Sequence, residues 1–226
     1  MIDIAANLTL VKQIIHENEA RYHRAKNSVQ LLAVSKGQPV EKIREAYDAG
    51  QRMFGENYLQ EALPKIHALA DTKIEWHYVG PIQSNKTKKI AEQFSWVHSV
   101  SDVTTAQRLS EQRPENLPSL NICLQVNISH EKSKSGMPLH TVLSIAEQCD
   151  ALPRLKLRGL MTIIGVSSDL NEQRQEFNQL AQYQHKLSEK GIIIDTLSMG
   201  MSDDMEAAIA EGSTLVRVGS KIFGAR

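Results

Sequence analysis

Short runs of branched apolar residues alternate along the chain with longer segments in which apolar positions recur every three or four residues. The first pattern suits strands buried on both faces and the second suits amphipathic helices, so the alternation predicts parallel strands joined by crossover helices. Eight runs read as strands, at 31–35, 53–57, 75–80, 96–100, 120–128, 155–162, 196–200 and 214–218. Val40, Ile43, Ala46 and Tyr47 form one helical stripe ending at Gly50, and Phe177, Leu180, Ala181 and Leu187 form another ending at Gly191. Each glycine suits the left-handed residue that follows a helix. Ahead of the first strand, Ile4, Leu8, Val11, Ile15 and Tyr22 predict a helix over about residues 2–26 that plugs or flanks the body. In the segment 58–70, Pro64 lacks the donor a helix interior needs, which predicts a late start or a kink.

Eight strand–helix repeats can close into a (β/α)8 barrel, an α/β TIM-barrel fold, with a doubly wound open sheet as the competing arrangement. Closure is the expectation here, as one domain over residues 1–226, because no low-complexity stretch, charge block or flexible linker divides the chain. With 41% apolar and 23% charged residues the chain can bury a sizeable core. Lys plus Arg number 26, as do Asp plus Glu, so no net field draws the protein to nucleic acid or to an acidic membrane. The first residues lack a basic leader region and no apolar run approaches the roughly 18 residues of a membrane span. Secretion and membrane insertion are therefore not expected. Cys123 and Cys149 are too few for a disulfide framework or a zinc site and suit a reducing cytoplasm.

In parallel barrels the reactive groups gather at the carboxyl ends of the strands. The first run there delivers Lys36, which is ordinarily a solvated loop residue, but leaving an apolar strand near a second cation such as Arg217 it would have the depressed pKa of a carbonyl-attacking amine. Ser202, followed by Asp203, Asp204 and Glu206, reads as the N-cap of a helix with an acidic first turn. With Gly219 and Ser220 after the last strand it predicts a phosphate cradle, provided that Asp203 and Asp204 point away. His77 reads as a packed or hydrogen-bonded strand residue. Lys86, Lys88, Lys89 and the loop 131–136 read as solvated surface, with anion binding as the alternative. No metal-ligand spacing, nucleophile elbow, Walker loop or dinucleotide fingerprint is present.

Ala33-Val34-Ser35-Lys36, Phe54-Gly55-Glu56-Asn57, Trp76-His77-Tyr78-Val79-Gly80 with Gln83-Ser84-Asn85-Lys86, Ser198-Met199-Gly200-Met201-Ser202-Asp203 and Arg217-Val218-Gly219-Ser220-Lys221-Ile222-Phe223-Gly224 together resemble the pyridoxal phosphate homeostasis protein family. The family is similar to the barrel domain of alanine racemase standing alone. The resemblance implies pyridoxal 5′-phosphate (PLP) held as a Schiff base on Lys36, Arg217 facing the pyridine nitrogen and Asn57 near the ring. It implies phosphate contacts from Ser202, Gly219 and Ser220, with Gly200 and Met201 shaping the same turn. Ser220 stands where threonine is common, and the hydroxyl is retained.

The function so implied is cytoplasmic vitamin B6 homeostasis, buffering or delivering PLP without a reaction of its own, with apo PLP-dependent enzymes as partners and the chain a monomer. The alternative is a PLP-dependent amino-acid racemase using Lys36 as one base. It needs a second base, which alanine racemase takes from an additional domain that this sequence, ending at Arg226, is not expected to have. A Schiff-base aldolase using the cradle for a sugar phosphate is the more distant reading.

Overall fold

The computed structural model describes residues 2–129 and 135–224. Eight parallel strands lie in the order β4 (Trp96–Val100), β3 (Glu75–Tyr78), β2 (Met53–Glu56), β1 (Gln30–Val34), β9 (Leu215–Val218), β8 (Thr196–Ser198), β7 (Leu155–Thr162) and β5 (Leu120–Asn127). Pairing of β4 with β5 closes the ring, so the sheet is a barrel rather than the open, doubly wound alternative. Every expected strand is present, with ends moved by at most two residues. The run 196–200 stops at Ser198 because Gly200 turns the chain with φ +97. A short strand not foreseen, β6 (Met137–Pro138), lies beside Val126 and Asn127 at the end of β5.

Outside the strands run α2 (Val40–Asp48), α3 (Leu59–Ala68), α4 (Thr87–Gln93), α5 (Val103–Gln112), α6 (Val142–Asp150) and α7 (Leu170–Glu189). Two short helices, α8 (Met205–Ala210) and α9 (Ser220–Phe223), follow the last two strands. Gly50 and Gly191, just beyond α2 and α7, have φ of +95 and +80, so both end a helix as expected. The late start is not found: α3 begins at Leu59 and runs through Pro64. Pro64 has no amide hydrogen to give the carbonyl of Gln60 four residues back, and Gln60 is exposed.

The N-terminal helix α1 (Ile4–Arg21) flanks the barrel, burying Ile4, Leu8, Val11 and Ile15 against α2, α8 and α9. It is shorter than the expected 2–26, because His23 and Asn27 take left-handed φ of 54 and 62 and turn the chain into β1. Asp3 caps its start by accepting from the Ala6 amide at 2.8 Å. Asn7 donates to the Ile222 carbonyl of α9 at 2.9 Å.

Strand residues alternate between the two faces of the barrel wall. Phe54, Trp76, Tyr78, Val97, Ile122, Leu124, Leu160, Leu197, Val216 and Val218 belong to the large apolar cluster shared with the helices. Trp96, Cys123 and Met161 form a separate cluster inside the barrel. Register sets Gly55, His77, Trp96 and Asn121 side by side across β2 to β5, and Leu32 beside Arg217 across β1 and β9. Among the described residues, no helix is long and apolar enough to cross a membrane.

Candidate functional site

Lys36 leaves the end of β1 half-buried, on a turn held from below. The preceding Ser35 turns outward and donates to Glu56 Oε1 at 2.6 Å. Lys65 of α3 donates to the same oxygen at 2.8 Å and to the Ser35 carbonyl at 2.9 Å. Glu56 is fully buried and its Oε2 has no partner, so burial pushes its carboxyl above the usual 4.5 against the pull of Lys65. Beyond Lys36, Gly37 has φ +69 and donates its amide to Glu61 at 2.9 Å. The turn is thus fixed on both sides of the lysine.

Arg217, in β9, reaches inward at 5% exposure. One terminal nitrogen donates to the Ser198 carbonyl at 2.6 Å and to Ser198 Oγ at 2.8 Å, and the other to the Thr162 carbonyl at 2.8 Å. Burial lowers its pKa to about 10, so the guanidinium stays charged at neutral pH and can only donate.

Two glycine-bearing loops complete the rim. A Cβ at Gly200 would come within 2.6 Å of the Ala208 side chain in addition to its positive φ, so only glycine makes this turn. One at Gly219 would sit 2.9 Å from the Val34 carbonyl, tighter than side chains tolerate. The reading of Ser202 as a helix cap is corrected: α8 begins at Met205 with Asp204 before it, and Ser202 lies in the preceding turn. Asp204 is the residue that turns in, buried and accepting from the Met201 amide. Asp203 remains exposed at the cavity edge, contrary to the condition set for the cradle.

Lys36, Asn57, Met201, Ser202, Arg217, Gly219 and Ser220 line one cavity of about 340 Å³, while Gly200 shapes its wall from behind. Asn57 Oδ1 is buried there without a hydrogen-bond partner, an acceptor awaiting a donor. Sequence reasoning missed Gln38, Ile163 and Gly224, which also line it. Gln38 lies just beyond the motif that ends β1 and Gly224 closes the motif that begins at Arg217, whereas Ile163 carries no local signal beyond following Thr162. His77 is not in the cavity but within the barrel below it, fully buried. Lys88 and Lys89 are exposed on α4 and Lys86 is half-buried at its start. Of the loop 131–136, residues 131–134 lie outside the described residues. Among the described residues no group of three or more His, Cys, Asp or Glu could hold a metal.

An amine, a donor-only guanidinium and two loops offering amides and hydroxyls fit a ligand with an aldehyde, a neutral ring nitrogen and a phosphate. The orphaned Asn57 oxygen calls for a ligand that brings a donor to it.

Residues 10–226 match the family model described as alanine racemase, N-terminal domain. The chain is 52% identical over 226 residues to the pyridoxal phosphate homeostasis protein of Pseudomonas aeruginosa, covering 100% of this chain and 97% of that protein. It is 49% identical over 229 residues to the protein of the same name in Escherichia coli K12, covering 100% and 98%. The solved structure of PipY from Synechococcus elongatus with PLP bound superposes with a TM-score of 0.82 at 39% identity, covering 93% of this chain and 100% of that one.

Proposed function

The chain belongs to the pyridoxal phosphate homeostasis protein family, and from that membership and its cavity we propose that it binds PLP reversibly and buffers or delivers it inside the cell. The observation that carries this reading is the convergence of Lys36, Arg217 and the loops at Gly200–Ser202 and Gly219–Ser220 on one 340 Å³ cavity. When bound, PLP supplies an aldehyde that condenses with an amine, releasing water, and a ring that withdraws electrons. Lys36 supplies that amine. Ser202, Ser220 and the Gly219 backbone hold the phosphate, which keeps the ligand oriented whether or not the covalent bond is made.

Arg217 faces the ring nitrogen. A guanidinium that stays protonated disfavours a second positive charge beside it, so the ring stays neutral and is a weaker electron sink than a pyridinium. Side reactions with cellular amino acids are thereby suppressed, which suits a carrier without catalysis. Borohydride reduction of the loaded protein followed by peptide mapping tests the site: the adduct is expected on Lys36 and absent from Lys36→Ala, which keeps weaker binding. An adduct at the wild-type level in that variant overturns the assignment.

The match to the racemase domain model favours a second reading, a PLP-dependent amino-acid racemase with Lys36 as one base. Loaded protein with L-alanine in deuterium oxide separates the two. The carrier gives no stereochemical inversion over many turnovers, and the racemase gives inversion with deuterium at the α-carbon that is lost in Lys36→Ala.

A further inference from the structure

Below the cavity, hydrogen-bonded side chains cross the barrel interior without a break. Ser198 Oγ, which accepts from Arg217, lies 2.8 Å from His98 Nδ1. His98 Nε2 lies 2.9 Å from His77 Nδ1, and His77 Nε2 lies 2.9 Å from Glu75 Oε1. Ser198, His98 and His77 are wholly buried, while the Glu75 side chain, at the start of β3 on the opposite end of the barrel, is 45% exposed. The Trp96 ring stacks on His77 with centroids 5.3 Å apart and planes 9° from parallel, fixing that imidazole.

Every proton in this chain has one place to go. Arg217 can only donate, so the Ser198 hydroxyl receives its N–H, and the Glu75 carboxylate at the other end can only accept, which through two neutral imidazoles turns the Ser198 proton to His98 Nδ1. Burial, then His77 and Arg217, holds His98 well below the usual 6.5, and burial lowers His77 despite Glu75, so both imidazoles are neutral. A neutral His98 accepting at Nδ1 carries its proton on Nε2 and gives it to His77 Nδ1. By the same logic His77 donates from Nε2 to Glu75, whose carboxylate is held low by that bond.

We propose that Ser198, His98, His77 and Glu75 are positioning residues: a one-way hydrogen-bond chain that orients the Arg217 guanidinium from the far face of the barrel. This rests on the reading of the cavity as the PLP site. The chain ends on an acceptor, and only an acceptor at Glu75 keeps all the links pointing away from Arg217. Removing it frees His77 to reverse its tautomer, so that His98 turns a donor toward the Ser198 oxygen already taken by Arg217 and the Ser198 proton loses its acceptor. The arrangement lets a change at an exposed carboxylate reach the pocket with no movement of the backbone.

The test is nitrogen-15 NMR of histidine- and arginine-labelled protein, with and without PLP. In the wild type without PLP, both His77 and His98 are expected as the Nε2–H tautomer, neutral across neutral pH. Glu75→Leu is expected to change the ring-nitrogen signals of His98 as well as His77, to shift the Arg217 resonances and to weaken PLP binding by roughly fivefold, one hydrogen bond's worth. Glu75→Gln keeps an acceptor oxygen and is expected to restore the wild-type pattern. A wild-type His98 protonated on Nδ1, or His98 and Arg217 signals unmoved in Glu75→Leu, overturns the proposal. Should the wild type fail to bind PLP, the functional reading falls while the tautomers still decide the chain.

Discussion

The two faces of the same barrel wall are equally buried and chemically opposite. Toward the helices, residues such as Phe54, Trp76, Val97 and Val216 pack into one apolar mass, which supplies stability by removing hydrocarbon from water. Toward the axis, the same strands present His77, His98, Ser198 and Arg217 among Leu32, Trp96, Cys123 and Met161, where branched aliphatics usually fill such barrels. Burial is affordable there because each polar group has a partner. The outer layer therefore decides whether the chain folds, and the inner one decides where charge sits beneath the cavity. The outer layer has its own polar exceptions, among them the Glu56–Lys65 pair under the Lys36 turn and Arg113, which donates to the Ala91 and Phe94 carbonyls.

The largest effect is expected in the outer layer. Phe177→Ala, which empties a wholly buried site on α7, should cost about 3–5 kcal/mol in chemical denaturation and leave the PLP affinity of the folded protein unchanged. A matching loss of affinity would show that the two layers are not separable.

Next comes Lys65→Met, which strands the Glu56 carboxylate and should cost about 3 kcal/mol, with much of it recovered when Glu56→Leu is added. In the wild type the folded-state pKa of Glu56 is raised, so its contribution is fully present below the ordinary 4.5 and is lost as pH rises through the folded value. Glu56→Gln should flatten that part of the stability–pH curve. A curve of unchanged slope would mean that the carboxyl is not held up by burial.

Replacing both Ser202 and Ser220 with alanine inverts the pattern. Binding should weaken by about 1–3 kcal/mol with little change in the denaturation midpoint, because both hydroxyls lie at the cavity rim and the backbone amides remain. An unchanged dissociation constant would put the phosphate elsewhere. The smallest effect is none at all: burial pushes the thiols of Cys123, inside the barrel, and Cys149, outside it, up to about 12. Neither should react with a thiol reagent until the protein unfolds, and reaction of Cys123 alone in the folded state would reveal an interior open to solvent.

The barrel's strands were legible in the sequence because each is a short, largely buried run with apolar residues on its helix-facing side, set between segments of helical period, and Lys36, Arg217 and the two glycine loops were legible because they lie in or just after the ends of such runs. Three features were not. Pro64 sits inside α3 because tertiary packing of Leu59 and Ala62 outweighs one lost backbone bond. The acidic turn 202–204 looked like a helical first turn, since nothing local tells that Asp204 folds back onto the Met201 amide. The inner chain was invisible for a deeper reason. His77, His98 and Ser198 are each unremarkable alone, and only the closure of β4 onto β5 and of β9 onto β1 brings strands far apart in sequence around a common axis.

The strap formed by α1 has a consequence for the order in which the molecule comes into being. Its apolar face and Asn7 are made early, yet the residues of α8 and α9 that receive much of that face and the Asn7 amide are synthesised about two hundred residues later, the Asn7–Ile222 bond spanning 215 positions. The β1–β9 ladder that seals the ring spans a similar distance. Until the last strand emerges, the helix has only α2 and the first strand only β2 as native neighbours, so the growing chain carries a half-covered apolar stripe and one unpaired strand edge for most of its synthesis. Sealing the ring and fastening the strap are then a single late event, and the two glycine loops that rim the cavity take their native places at the same moment.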